Sequence, residues 1–341
     1  MSSAKQALLI GDLAHARREW EELSSLVGLL EFPEGTRDDF LSNLRAGKYD
    51  NVVAIYRSND STKFTGPFDA ELVQVLPKSL TYICHNGAGY DNIDVGACSS
   101  KGISVANTPV AVNDATADIA LFLLLGALRR VTIPFTAVRQ GKFHALPRQW
   151  RGSSFRIGHD PRQKTLGILG MGGIGRAVGV RAAAFGMKIQ YHNRSRLSAE
   201  LEAAGGNASY VSFDELVRTS DVISVNLSLT PATKHIIGSK EFSSMKDGVV
   251  IVNTARGPVI DEAALVEALD NGKVYSAGLD VFEEEPKIHP GLLKNENVVL
   301  LPHIGTATIE TQRDMELLVL ENLKLGVQEG KLKTQVPEQL R

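Results

Sequence analysis

The chain has 341 residues, of which 43% are apolar, and its 37 lysine and arginine residues nearly balance its 39 aspartate and glutamate residues. This balance excludes a general basic surface for nucleic acid and a polybasic membrane patch, and the length exceeds that of one ordinary hydrophobic core. Only two cysteines occur, residues 1–7 lack a signal-peptide core and no apolar run reaches transmembrane length, so we expect a cytoplasmic protein of two domains that binds neither nucleic acid nor a membrane.

Short apolar segments alternate with helix-length segments along the whole chain. Strands separated by helix-length segments form parallel βαβ units, so we expect an α/β protein with two doubly wound parallel-sheet domains. The predicted strands are Ala7–Gly11, Val52–Tyr56, Thr81–His85 and Ile103–Asn107, and then Thr165–Leu169, Lys188–His192, Val222–Asn226, Val249–Asn253, Ser276–Phe282 and Val298–Leu301.

Three segments between or after these strands have distinct patterns. The apolar run Ala117–Leu128 is too short to cross a bilayer and predicts a helix buried between domains or subunits. The polar segment Ala145–Lys164 is typical of a loop. A last helix, Ile309–Gly326, follows the final strand and is expected to return the chain to the first domain.

A glycine-rich turn follows the strand at Leu166–Leu169, and a helix-forming stretch comes directly after it. The turn reads Gly170-Met171-Gly172-Gly173-Ile174-Gly175. Between a strand and a helix, this pattern predicts a dinucleotide site, because the glycines allow a tight turn and the helix N-terminus attracts the pyrophosphate. The alternative is a tight βα turn with no ligand.

The end of the next strand bears on which dinucleotide is bound. Where an acidic residue would bind the adenosine ribose, the chain has Asn193-Arg194-Ser195-Arg196, with no Asp or Glu from Lys188 through Ala199. An arginine here suits a 2′-phosphate, which a carboxylate would repel. We expect a preference for NADP(H), with use of NAD(H) left open and a solvated arginine loop as the alternative.

Three further groups follow predicted strands in the second half of the chain, and together they suit the reduction of a 2-oxo acid. Arg256 can bind a carboxylate beside a carbonyl, His303 can donate a proton, and Glu285 can keep that histidine protonated. Each also has an alternative as a surface arginine, a solvated acid or a loop histidine. The chain has no cluster with metal-ligand spacing, so no metal is expected.

Several motifs together resemble the D-isomer-specific 2-hydroxyacid dehydrogenase family over nearly the whole chain. The resemblance implies a Rossmann cofactor domain, residues 109–305, inserted into a flavodoxin-like substrate domain, residues 1–108 and 306–341. The motifs are Gly87-Ala88-Gly89-Tyr90-Asp91-Asn92-Ile93-Asp94, Asn107-Thr108-Pro109, the glycine turn, Leu229-Thr230-Pro231-Ala232-Thr233, Asn253–Gly257, Gly278–Pro286 and Pro302–Gly305.

The resemblance also implies roles for individual residues. Arg256, Glu285 and His303 are the expected catalytic residues, with His303 as proton donor and Glu285, the glutamate before the proline, as its partner. The substrate would be bound by Asn86, Gly87, Ala88, Gly89, Arg256 and His303. The cofactor would be bound by Gly170, Met171, Gly172, Gly173, Ile174, Gly175, Asn193, Arg194, Ser195, Leu227, Thr233, Thr254, Ala255, Arg256, Asp280, His303 and Gly305.

The same resemblance frames the choice of substrate and partner. The segment Cys84–Tyr90 is most similar to the fungal D-mandelate dehydrogenases, which implies a bulky or aromatic 2-oxo acid and its 2-hydroxy acid. One alternative is a glyoxylate or hydroxypyruvate reductase, and another is a dinucleotide-sensing scaffold like the family's corepressors. A homodimer is expected, with the long helix of residues 113–141 at its interface.

Overall fold

The structure is a computed structural model that describes residues 5–142 and 157–340. The chain divides into two compact units. Unit 1 comprises Met1–Val112 and Ala307–Arg341, and unit 2 comprises Asn113–Thr306. The sequence placed these boundaries at residues 108 and 306. Most of the predicted loop Ala145–Lys164, namely residues 145–156, lies outside the described residues.

Unit 1 is a five-stranded parallel sheet in the order β2-β1-β3-β4-β5, the doubly wound order of flavodoxin-like folds. Its strands are β1 (Gln6–Ile10), β2 (Gly28–Phe32), β3 (Val52–Ser58), β4 (Tyr82–Asn86) and β5 (Ser104–Ala106). Its helices are α1 (Arg17–Glu22), α2 (Arg37–Arg45), α3 (Thr62–Thr65), α4 (Ala70–Val75), α5 (Val95–Ser100) and the C-terminal α14 (Ile309–Glu329).

The C-terminal helix α14 completes the core of unit 1. Its apolar face, Val319, Leu320 and Leu323, is buried against residues of the central strands such as Leu9 and Tyr56. Glu316 on the same helix accepts hydrogen bonds from three successive backbone N–H groups ahead of α1, at 2.7 to 2.9 Å. The chain therefore returns to the N-terminal sheet after unit 2, as the position of its last helix predicted.

Unit 2 is a seven-stranded parallel sheet in the order β12-β11-β10-β9-β6-β7-β8. Its strands are β6 (Thr165–Leu169), β7 (Lys188–His192), β8 (Ser209–Tyr210), β9 (Val222–Val225), β10 (Val249–Asn253), β11 (Val274–Leu279) and β12 (Val298–Leu300). Its helices are α6 (Asn113–Leu128), α7 (Thr132–Arg139), α8 (Gly173–Ala184), α9 (Ala199–Ala204), α10 (Phe213–Thr219), α11 (Ser239–Ser244), α12 (Glu262–Asp270) and α13 (Pro290–Lys294).

The strand order of unit 2 reverses between β6 and β9, as in Rossmann folds, and the predicted fold class is confirmed. Two strands at sheet edges, β2 and β8, were not predicted. The predicted strand Ser276–Phe282 extends furthest beyond the observed one, because β11 stops at Leu279. Asp280 therefore lies beyond the carboxyl end of the strand, where ligands bind in such sheets.

Helix α6 contains the apolar run that the sequence predicted, but the expected long helix of residues 113–141 is divided into α6 and α7. It packs on the sheet at β10 and β11, and Leu123 lies so close to Gly278 that a Cβ at position 278 would come within 2.7 Å of its side chain. In the described residues no single helix is long and apolar enough to cross a membrane. Only α6 and α7 together, bent by 86° at their junction, reach that length and composition.

Candidate active site

The glycine turn in unit 2 joins β6 to α8, and its glycines are required by close contacts. Gly170 has φ +98°, and a Cβ there would come within 2.6 Å of the Asn226 carbonyl oxygen. A Cβ at Gly175 would lie 2.3 Å from the Gly170 oxygen, whereas a Cβ at Gly172 would meet nothing within 4 Å. Gly170 and Gly175 thus allow close packing, and Gly172 leaves open space at the N-terminus of α8, where helix amides favour an anion.

The polar residues after β7 differ in whether their side chains have hydrogen-bond or ion-pair partners. Asn193 Oδ1 accepts a hydrogen bond from the Met171 N–H at 2.7 Å and so holds the glycine turn. Arg196 binds both oxygens of Glu202, at 2.8 and 3.0 Å. This hydrogen bonding lowers the pKa of Glu202. Arg194 is exposed and has no hydrogen-bond or ion-pair partner among the described residues, so it is the arginine that remains available to a phosphate.

The other predicted cofactor contacts lie in the loops after β9 and β10. Leu227 lies over the glycine turn, since its Cδ2 would be 3.2 Å from a Cβ at position 170. The Thr233 hydroxyl is used within its own turn, where it donates to the Ser228 carbonyl at 2.7 Å. In contrast, Thr254 Oγ1 and Asn226 Oδ1 are buried without a hydrogen-bond partner within the described part of the chain. Buried polar groups of this kind are satisfied when a polar ligand binds.

The turn that carries Arg256 is held rigidly at the end of β10. Asn253 donates to the Arg256 carbonyl oxygen at 2.9 Å and accepts from the Ala255 N–H at 3.0 Å. A Cβ at Gly257 would lie 1.9 Å from the carbonyl carbon of Phe282. Only glycine fits at this position, so the Arg256 turn packs directly against the loop that leads to Glu285.

His303 and Glu285 form the pair that the sequence predicted. Nδ1 of His303 lies 2.9 Å from Oε2 of Glu285, whose other oxygen accepts the Phe282 N–H at 2.9 Å. The hydrogen bond to Glu285 raises the pKa of His303 against the opposing effect of burial. Burial raises the pKa of Glu285, but the hydrogen bonds from His303 and Phe282 outweigh it and the net shift is downward. The pair therefore favours a protonated imidazole.

Arg256 belongs to the same cluster, because its positive charge acts on both members of the pair. It contributes to the lowered pKa of Glu285 and opposes the raised pKa of His303. The structure thus brings together a guanidinium, a carboxylate and an imidazole that are far apart in sequence. The selection of Glu285 among three consecutive glutamates also agrees with the geometry, since Glu283 binds His235 instead, at 2.5 Å.

Asp280, predicted to bind the cofactor, holds the backbone of the His303 loop. Its two oxygens accept the N–H groups of Ile304 and Gly305, each at 2.8 Å. Burial raises the pKa of Asp280 despite these bonds. His303 itself has φ +57°, a conformation that costs free energy in a non-glycine residue. The carboxylate of Asp280 therefore helps to fix the position of the imidazole.

The loop Asn86–Gly89 lies in unit 1, begins at the last residue of β4 and carries successive backbone amides. The carbonyl oxygen of Gly87 accepts the Thr108 N–H at 3.0 Å, and that of Ala88 accepts the Asn107 side-chain amide at 2.7 Å. In a trans peptide the N–H points opposite to the carbonyl. The N–H groups of Ala88, Gly89 and Tyr90 have no acceptor within residues 5–142 and 157–340, and such a run of free amides binds anions.

Two residues beneath this loop were missed or underrated from the sequence. Neither Arg57 nor His85 was among the site residues predicted from the sequence, and both are fully buried. The signal that could have identified them is a basic residue at the carboxyl end of each of two neighbouring strands. Elsewhere, no group of His, Cys, Asp and Glu among the described residues is arranged to hold a metal ion.

Comparisons with known proteins agree with this geometry. Residues 121–305 match the family model described as "D-isomer specific 2-hydroxyacid dehydrogenase, NAD binding domain". The chain is 66% identical over 333 residues, 98% of each chain, to 4-methyl-2-oxopentanoate reductase A of Aspergillus oryzae.

Solved structures resemble the whole chain as well. A glyoxylate reductase from Paecilomyes thermophila is 62% identical, with a TM-score of 0.94 and 99% of both chains covered. The holo form of Rhodotorula graminis D-mandelate dehydrogenase is 35% identical, with a TM-score of 0.91, covering 98% of this chain and 97% of that one. The similarity therefore extends over both units.

Proposed function

Because the chain belongs to the D-isomer-specific 2-hydroxyacid dehydrogenase family, we propose that it is an NADP-preferring reductase of 2-oxo acids with a bulky apolar or aromatic group. Members of this family are NAD(P)-dependent oxidoreductases, and this chain has the family's NAD-binding domain. The observation that carries the proposal is the cluster of Arg256, Glu285 and His303, with the imidazole 2.9 Å from its carboxylate.

Each group of the cluster has one task in the proposed reaction. Arg256 binds and polarises the substrate beside its carbonyl, since a planar guanidinium can donate two hydrogen bonds. The Nδ1–H group of His303 stays hydrogen-bonded to Glu285. The Nε2–H group donates its proton to the carbonyl oxygen as that oxygen becomes a hydroxyl. The free amides of the loop Asn86–Gly89 receive the substrate carboxylate. When bound, the cofactor supplies the hydride that the carbonyl carbon accepts.

The residues present fit a dinucleotide. The open space at Gly172 and the amides at the start of α8 suit the pyrophosphate. The buried oxygens Thr254 Oγ1 and Asn226 Oδ1, which lack partners in the part of the chain that the structure describes, suit a polar ligand at the carboxyl ends of β9 and β10. Arg194 suits a 2′-phosphate, and the carboxylate of Glu202 is already paired with Arg196.

Replacing Arg194 with alanine is expected to weaken NADPH binding by about 10-fold to 100-fold and NADH binding by less than about twofold, because only NADPH carries the phosphate. Cofactor fluorescence titration measures both dissociation constants. Arg196→Ala is the matched control, since Arg196 is engaged by Glu202, and it should change the preference much less. Equal losses for the two cofactors in Arg194→Ala would contradict the NADP assignment.

The substrate class rests on what similar proteins are named for. The Aspergillus relative is named for a branched 2-oxo acid, and the Rhodotorula structure for an aromatic 2-hydroxy acid. The Paecilomyes structure is named a glyoxylate reductase, which supports a second candidate function with a small substrate.

Steady-state oxidation of NADPH and NADH with a substrate panel tests the proposal. The panel is 4-methyl-2-oxopentanoate, phenylglyoxylate, glyoxylate and hydroxypyruvate. The proposal expects NADPH with one of the first two acids to give the highest kcat/KM. Highest kcat/KM with glyoxylate or hydroxypyruvate would support the second candidate, and absence of turnover with every acid would favour a dinucleotide-binding scaffold.

We also propose that the chain forms a homodimer through helices α6 and α7. Phe122, Phe135 and Val138 on these helices are 52%, 59% and 49% exposed, and apolar side chains of this size on neighbouring helices are typical of an interface. Sedimentation equilibrium is expected to give twice the chain mass of 36.9 kDa, and Phe122→Lys with Phe135→Lys to give the single chain mass.

A further inference from the structure

A buried cation lies at the carboxyl end of β3 in unit 1, next to the strand that precedes the loop Asn86–Gly89. Arg57 is fully buried. Its Nη1 lies 3.0 Å from Nδ1 of His85, its Nη2 donates to the Thr62 hydroxyl at 2.6 Å, and its Nε has no hydrogen-bond partner among the described residues. Burying a guanidinium in this way is costly, so its position calls for a function.

The contact between Arg57 and His85 determines the tautomer of the histidine. A guanidinium can only donate hydrogen bonds, so Nδ1 of His85 must accept and carries no proton. The ring proton is therefore on Nε2, which lies 3.1 Å from the carbonyl oxygen of Gly89 and donates to it. Arg57, His85 and Gly89 thus form a directed chain of two hydrogen bonds, in which each bond polarises the next.

These two hydrogen bonds hold the peptide plane between Gly89 and Tyr90, the third plane of the loop. The planes that carry the Ala88 and Gly89 N–H groups are held through the carbonyls of Gly87 and Ala88, and the plane that carries the Tyr90 N–H is held by His85. The ring also fills the space under the loop, since a Cβ at Gly87 would lie 2.5 Å from His85 Nε2. His85 therefore supports both the direction of the amides and the shape of the turn.

Arg57 also places a positive charge beneath these amides. Burial lowers the pKa of Arg57 to about 10, and the negative charge of Asp91 opposes that shift. The guanidinium therefore remains charged near neutral pH, in surroundings where a charge is weakly screened. An anion held by the loop would experience this charge.

We propose that Arg57 and His85 are positioning residues that make the loop Asn86–Gly89 selective for a carboxylate, acting through the Gly89 carbonyl and through the buried charge. The inference rests on the proposed function, in which this loop receives the carboxylate of a 2-oxo acid. Arg57 and His85 do not touch the substrate in this account.

The test compares a charged substrate with its uncharged analogue. Phenylglyoxylate and its methyl ester are reduced with NADPH by the wild type and by Arg57→Met, which keeps the length and apolar character of the side chain. Arg57→Met is expected to raise KM for phenylglyoxylate by about 10-fold to 100-fold, and to change kcat and NADPH affinity by less than about threefold. The ratio of kcat/KM for acid over ester should fall by at least about 10-fold, which loss of packing alone would not produce.

Two further variants make the test decisive. Arg57→Lys restores the charge and should recover part of the acid-to-ester ratio. Lys101→Met removes another cation of unit 1, one that binds the carbonyl oxygens of Val73, Gln74 and Leu76 at the opposite end of the sheet, and should leave the ratio unchanged. If Arg57→Met does not fold, His85→Gln replaces it, and it should raise KM for the acid several-fold with little effect on the ester.

The possible results distinguish a failure of the proposed role of Arg57 and His85 from a failure of the proposed reductase function. No wild-type turnover of any 2-oxo acid would remove the proposed function and this inference with it. Wild-type turnover combined with an unchanged acid-to-ester ratio in Arg57→Met, or an equal fall in Lys101→Met, would remove only the inference. A lower ratio that Arg57→Lys partly restores would support it.

Discussion

Replacing His303 with alanine is expected to lower kcat for reduction of a 2-oxo acid by about 100-fold or more and to leave NADPH affinity within about twofold. In the proposed reaction the imidazole supplies the proton, whereas the glycine turn and Arg194 are the contacts proposed for the cofactor phosphates. Steady-state kinetics and cofactor titration measure the two effects separately. A large loss of NADPH affinity with kcat preserved would show that His303 binds cofactor instead of donating a proton.

The pairing of His303 with Glu285 also predicts how kcat/KM depends on pH. The hydrogen bond to Glu285 raises the pKa of His303, so the protonated form needed for reduction persists to higher pH than an isolated histidine would allow. Glu285→Gln removes the charge, and the fall of kcat/KM with rising pH should move to lower pH. Glu284→Gln changes the exposed neighbouring glutamate and should leave the profile in place. A profile that is the same in all three proteins would contradict the role of Glu285.

Replacing Arg256 with glutamine is expected to lower kcat/KM by roughly 1,000-fold, with a rise in KM and a fall in kcat, because in the proposed reaction one guanidinium both binds the substrate and stabilises charge at the carbonyl. Arg256→Lys should recover only part of this loss, since an ammonium cannot donate two parallel hydrogen bonds. Arg218→Gln, a change at an exposed arginine of α10, is the control and should leave both constants unchanged.

Replacing Arg256 should also shift the pH profile of activity, in the direction opposite to the shift expected for Glu285→Gln. Its charge opposes protonation of His303, so the residual activity of Arg256→Gln should persist to higher pH than wild-type activity. A shift to lower pH, or a loss confined to KM, would show that the guanidinium lies apart from the imidazole and serves only in binding.

The fold class followed from patterns that are local along the chain. Alternating apolar strands and helix-length segments predicted the parallel sheets, and the glycine turn predicted its own conformation, because a βα turn depends on the few residues within it. Two strands, β2 and β8, were missed because local patterns predict only strands with a clear buried face. β2 pairs on one side only and is largely exposed, and β8 has two residues, so neither carries a clear buried pattern.

The candidate catalytic residues were chosen by type, by position after strands and by motif, and the structure brings those three side chains together. Other details depended on contacts between distant segments. Arg194 was the arginine predicted to bind the cofactor, and the structure adds that its neighbour Arg196 is already bound to Glu202. Asp280 was predicted as a cofactor contact, and only the structure shows that its carboxylate also accepts two backbone N–H groups of the His303 loop.

The amino-acid sequence by itself determined the two parallel-sheet domains and the glycine turn, and it predicted Arg256, Glu285 and His303 as catalytic candidates, because each depends on residue type and on neighbours close along the chain. Only the tertiary structure decided which charges are already paired and which buried groups support the loops, as with Arg57 beneath Gly89. The physical reason is that hydrogen bonds and ion pairs select partners by distance in space, and strand order, which local patterns do not encode, places those partners side by side.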